Sequence, residues 1–211
     1  MDFSSETERT RIIWPIVVVC AFLALFWGLE VIDWLTGDFL YMDGWGIRPR
    51  RLSTLHTIFI APFLHLGFGH VASNSFLFAL LGVLIMWRDE AEFWVVSFIT
   101  MVVSGLGVWF FANPNSVTIG ASGIVFGYLG FLLLLGYFER SFVSITRAII
   151  LLILYGGVLW GVLPLESGVS WQGHLFGFIG GILAAYILAR RNPEAFAPKP
   201  IEEIESEIKI L

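Results

Sequence analysis

The feature that most constrains this chain is a set of six apolar runs. They lie at residues 12–29, 66–87, 93–111, 118–138, 148–165 and 169–189, and none contains Lys, Arg, Asp or Glu. Each is about 18 to 22 residues long, the length a helix needs to cross the ~30 Å hydrocarbon core of a bilayer. Together they fill more than half of the 211 residues. Inside a bilayer every backbone N–H and C=O must be paired without water, which only helices and closed barrels achieve. Barrel strands alternate polar and apolar side chains over about ten residues, and these runs do not. The expectation is an all-α polytopic membrane protein built as a six-helix bundle. Its membrane domain spans 12–189, between a cytoplasmic tail at 1–11 and another at 190–211. Pro15 falls in the first turn of the first run, where its missing N–H costs little, and Pro164 ends the fifth. The first run is long enough to span and lacks a small-residue cleavage site, so it reads as a retained helix.

Charge and composition remove other classes. Only 14% of residues are charged, against about 25% in a soluble domain. A single cysteine, Cys20, cannot form an internal disulfide. A net charge of −5 without a basic cluster argues against nucleic-acid partners. Lys and Arg also set the orientation. With the N-terminus inside, Arg9, Arg11, Arg88, Arg140, Arg147, Arg190, Arg191 and Lys199 fall near inner ends, and only Arg48, Arg50 and Arg51 fall outside. This bias predicts both termini in the cytoplasm, with the plasma membrane as the expected location. The three outer arginines share the long connection 30–65 with Trp34, Tyr41 and Trp45. That connection is expected in the headgroup layer, aromatics down and arginines at phosphates. Glu30, Asp33, Asp38 and Asp43 read as a solvated outer rim. The acidic tail, with Ile201, Ile204, Ile208 and Leu211 at helix-like spacing, reads as a short amphipathic segment.

Polar groups inside the runs carry the functional signal, because they are expensive in hydrocarbon. Runs one, three and five hold little beyond Cys20, Ser97, Thr100 and Ser104. The even runs differ. The second has His70, Ser73, Asn74 and Ser75, the fourth has Ser122, and the sixth has His174. Counted from their starts, His70 and Ser122 lie four residues in, His174 five and Asn74 eight. At about 1.5 Å per residue these groups share one depth band roughly 6–12 Å below the outer face. Ser122 is a candidate nucleophile and His174 a candidate general base. His70 and Asn74, four residues apart, share a helix face and can offer N–H donors to an oxyanion. Asn74 could equally be interhelical glue, and His65 reads as an anchor for the start of the second run. Gly123 and Gly127, with Gly173, Gly177 and Gly181, form stripes that allow close helix approach. Phe126, one turn after Ser122, is placed to stack on the His174 ring. No zinc motif, phosphate loop or dinucleotide fingerprint is present.

At these residues the chain resembles the rhomboid intramembrane serine proteases. Gly120-Ala121-Ser122-Gly123 resembles their GxSG motif, His65, His70 and Asn74 their HxxxxHxxxN pattern, and His174 with Gly177 and Gly181 their HxxGxxxG helix. Gly46-Ile47-Arg48-Pro49-Arg50 resembles the first loop of a compact subset. The likeness covers roughly residues 12–189, with Phe126 where many relatives carry Tyr and Gly173 where Ala is frequent. It implies a Ser122–His174 dyad, with His70, Asn74 and the Ser122 N–H forming the oxyanion hole. It implies cleavage of single-span membrane proteins near the outer ends of their helices, in the bilayer and without metal or cofactor. The alternative is a catalytically silent rhomboid-like protein that binds membrane clients, which would be expected to lack the Ser or the His. A small channel would carry polar groups through the full depth, and the inner halves of these runs are apolar.

Overall fold

The computed structural model describes residues 3–37, 39–139, 142–166 and 168–191. The expected amphipathic segment of the C-terminal tail, and Asp38, lie outside the described residues. Among the described residues six α-helices form, in order: α1 (Phe3–Thr36), α2 (Phe68–Arg88), α3 (Glu90–Phe111), α4 (Ser122–Glu139), α5 (Phe142–Tyr155) and α6 (Trp171–Arg191). Short 3-10 turns at Met42–Trp45, Leu52–Phe59 and Ala61–Phe63 fold the long first connection, and a fourth, Gly156–Val162, extends α5. Five segments are long and apolar enough to cross a membrane, and a sixth, Ser122–Phe138, is apolar but shorter. The chain is an integral, multi-pass, all-α membrane protein.

Three boundaries differ from expectation. α1 begins at Phe3, so Pro15 lies inside the helix rather than in its first turn. α4 begins at Ser122, four residues later than the apolar run. Thr118 is instead held extended against Ile47, with Ile47 N–H donating to Thr118 O at 2.9 Å and Thr118 N–H to Ile47 O at 3.1 Å. That pairing satisfies the backbone of a segment that hydrophobicity alone assigns to helix. The fifth run starts early, at Phe142, and changes from α to 3-10 geometry at Gly156.

Packing follows burial. α4 is apolar on all sides and packs against α2, α3, α5 and α6, the position expected of a helix with no polar face. Its Val125, Tyr128, Leu129, Phe131, Leu132 and Leu135 pack in one core with Val19 and Phe26 of α1, Phe78, Leu81 and Ile85 of α2, and Phe93 of α3. The fully buried Tyr128 hydroxyl is paired with Ser97 Oγ at 2.6 Å. Glycines set the α4–α6 approach. A Cβ at Gly177 would collide with the Gly123 carbonyl, and one at Gly181 with the Gly127 carbonyl. At the opposite end from Ser122, Asp89 links α2 to α3 and caps α3 by accepting the Glu92 N–H at 3.0 Å.

Candidate active site

Ser122 is the first residue of α4 and is half-buried. Its own N–H and that of Gly123 have no carbonyl four residues back within the helix, so they are available to an external acceptor. The preceding turn is held from outside: Gly120 N–H donates to Ala61 O at 2.9 Å, and Ala121 N–H to His65 Nε2 at 3.4 Å. Gly120 has φ +115°, a conformation L side chains rarely adopt. A Cβ there would lie 2.7 Å from His70 Cε1, 2.8 Å from His70 Nε2 and 3.4 Å from Asn74 Nδ2. Only glycine lets the Ser122 turn come this close to α2.

The hydrogen-bond wiring assigns each ring a role. His70 Nδ1 accepts the Leu66 N–H at 3.2 Å. A neutral His70 therefore carries its proton on Nε2, the nitrogen facing Gly120. Asn74 is buried, and its Nδ2 has no hydrogen-bond partner. An orphaned buried donor is costly, and this one faces the turn that presents Ser122. His174 Nδ1 lies 2.9 Å from the Gly161 carbonyl. A carbonyl can only accept, so Nδ1 carries the proton and Nε2 is the ring's acceptor. The ring stacks on Phe126 with centroids 4.1 Å apart and planes 10° from parallel, as the spacing from Ser122 suggested. Ser104 of α3 donates to the Gly173 carbonyl at 2.8 Å and fixes the start of α6 beside α3.

The structure thus sets His70 and Asn74 of α2 against the Ser122 turn and stacks His174 of α6 on Phe126, one turn further along α4. It also corrects several surface readings. Glu30 is not a solvated rim residue; on α1 it is 6% exposed, covered by the first connection. Asp33 accepts the Met42 N–H at 3.3 Å. Arg48 and Arg50 each also donate inward, to the Gly44 and Ala112 carbonyls at 3.3 and 2.8 Å. His65 is an anchor, but for the Ser122 turn as well as for α2. Gly161 escaped sequence reasoning because its contribution is a backbone carbonyl, which leaves no residue-type signal. Ser104 was visible as one of few polar groups in the odd runs, without a partner to give it meaning.

A bundle with a polar cluster at one end of its central helix is a polytopic membrane protein carrying a candidate hydrolytic site. The rhomboid domain family matches residues 52–191 of the chain. An uncharacterized protein of Mycobacterium tuberculosis (strain ATCC 25618 / H37Rv) is 36% identical over 204 residues, covering 93% of this chain and 84% of that one. An uncharacterized protein of Mycobacterium leprae (strain TN) is 38% identical over 200 residues, covering 90% and 78%. The rhomboid protease GluP of Bacillus subtilis (strain 168) is 26% identical over 144 residues, covering 67% and 27%. The chain belongs to the rhomboid family, whose members are generally intramembrane serine proteases.

Proposed function

We propose that this protein is an intramembrane serine endopeptidase that cuts single-span membrane proteins with a Ser122–His174 dyad. The observation that carries the reading is the complementary wiring of the two histidines. His174 Nδ1 is engaged by Gly161 O, which leaves Nε2 to take a proton. His70 Nδ1 is engaged by Leu66 N–H, which leaves Nε2–H to donate one. A base and an oxyanion donor are what acyl transfer from a serine requires.

In this mechanism His174 Nε2 accepts the Ser122 hydroxyl proton as Oγ attacks the scissile carbonyl. The developing oxyanion accepts hydrogen bonds from His70 Nε2–H, Asn74 Nδ2–H and the Ser122 N–H. Collapse expels the new amine, which takes the proton from His174 and leaves an acyl-Ser122 ester. Water, activated by the same Nε2, then hydrolyses the ester. Ser122 and His70 are half-buried rather than sealed, so water can approach. A substrate helix must first unwind, because its peptide carbonyls are already hydrogen-bonded and shielded. Small, weakly helical residues at its outer end are the preferred cleavage sites. The Lys and Arg bias supports cytoplasmic termini and a site in the outer leaflet of the plasma membrane.

The test is cleavage of a single-span reporter in liposomes, with labelling of Ser122 by a fluorophosphonate. Ser122→Ala and His174→Ala are expected to lose on the order of 10⁴-fold or more in kcat while remaining folded. A wild type that neither cuts nor labels would move the assignment to a client-binding member of the family.

A further inference from the structure

Glu30 and His65 are buried titratable groups that the mechanism above does not use. Glu30 is 6% exposed and His65 3%. Glu30 Oε2 and His65 Nδ1 are both buried without a hydrogen-bond partner. The Phe63 backbone also lies near the His65 ring, without a hydrogen bond to Nδ1. Both residues line one small cavity with Leu29, Asp33, Met42 and Leu64. Its space open to the centre of a water molecule is about 10 Å³, which suits a single water. Asp33 is already engaged by the Met42 N–H. Among the described residues no three His, Cys, Asp or Glu side chains converge as metal ligands.

His65 connects this cavity to the site. Its Nε2 accepts the Ala121 N–H, so the neutral ring must carry its proton on Nδ1, the ring nitrogen that has no partner. The ring packs against Phe26 of α1 at 5.3 Å and His70 of α2 at 5.2 Å. The Glu30 carboxylate also faces the Gly67 N–H at the start of α2. We propose that one buried water bridges Glu30 Oε2 and His65 Nδ1–H, making Glu30 and His65 positioning residues for the oxyanion hole. Glu30 holds the His65 tautomer, His65 holds the Ala121 N–H, and that bond aims the Ser122 N–H. The His65 ring also fixes the plane of His70. The inference rests on the reading of Ser122 as nucleophile, but the link itself is a property of the folded chain.

The test uses the full chain in detergent, with ¹⁵N-histidine NMR and fluorophosphonate labelling of Ser122. Wild type and Glu30→Gln are expected to show His65 as the Nδ1–H tautomer, because an amide oxygen can still accept from the water. Glu30→Leu is expected to lose that tautomer and to label between about 10- and 100-fold more slowly, with kcat lowered and KM unchanged. Glu30→Gln is expected to recover most of the rate. An Nε2–H tautomer in wild type overturns the proposal even if Glu30→Leu does not fold. So does equal slowing of the Gln and Leu variants with the tautomer unchanged, or a Glu30→Leu rate equal to wild type. If wild type itself fails to label, the protease reading falls, and the His65 tautomer of Glu30→Leu, compared with wild type and Glu30→Gln, still decides the link.

Discussion

The α4–α6 seam and the fifth span are built on opposite principles. Along the seam, Gly177 and Gly181 meet the carbonyls of Gly123 and Gly127, backbone against backbone. Over the apolar stretch of α6, 39% of residues are buried inside the protein; over that of the fifth span, within Phe142–Val162, only 11% are. The fifth span turns Ile149, Ile153, Leu154 and Trp160 outward and changes helix type at Gly156. Yet its Gly161 carbonyl holds Nδ1 of His174. The seam sets where Ser122 and His174 stand, and the fifth span sets which nitrogen of His174 carries the proton. Any displacement of that span would act on the His174 ring directly.

Substitutions can break this contrast, beginning with the seam. Gly181→Ala places a methyl against a backbone carbonyl that no rotamer change can move. It is expected to cost about 3 kcal/mol or more and to abolish fluorophosphonate labelling, read alongside thermal melting in detergent. A Gly181→Ala protein that melts and labels like wild type would show that the seam is not tightly packed. In the fifth span the expected effect is on rate rather than folding. A Cβ at Gly161 would lie 2.9 Å from Phe126 Cζ and 3.2 Å from His174 Nδ1. Gly161→Ala is therefore expected to shift the carbonyl and slow labelling between about 10- and 100-fold without lowering the melting temperature. Four residues earlier, a Cβ at Gly157 meets nothing within 4 Å. Gly157→Ala should leave the labelling rate intact and stabilise by about 0.5–1 kcal/mol. Equal rates for the two alanine variants would remove Gly161 from the account.

A smaller effect is expected from pH. Burial, with the neighbouring His70, pushes His65 down to about 4 from an ordinary value of 6.5. The unfolded chain then binds the proton more readily than the folded one. Stability is fully present above about pH 6.5 and is lost as pH falls toward 4. Melting temperature should fall over that window in wild type and much less in His65→Gln. Smallest is Ser104→Ala, which removes one interhelical hydrogen bond to Gly173 and is expected to cost about 0.6 kcal/mol, measured by the same melting.

Much of this protein could be read before any coordinates. Runs of about 20 apolar residues leave a bilayer helix little alternative, and glycines four apart announce close packing. Depth counting put His70, Asn74, Ser122 and His174 in one band by assuming helical rise from Thr118, whereas α4 starts at Ser122 itself. The helix and close-packing inferences hold because they depend on local regularities, length and periodicity. What needed the tertiary structure depends on partners distant in sequence. α4 starts at Ser122, not at Thr118, because Ile47, far away in sequence, pairs with Thr118. Glu30 resembles its acidic neighbours in type, and only the fold of the first connection over α1 buries it. The proton on His174 is directed by the Gly161 carbonyl, a group every residue possesses. Hydrophobicity and helical period are written in side chains, whereas burial of one carboxylate and the aim of one backbone oxygen are decided by how the helices and loops come together.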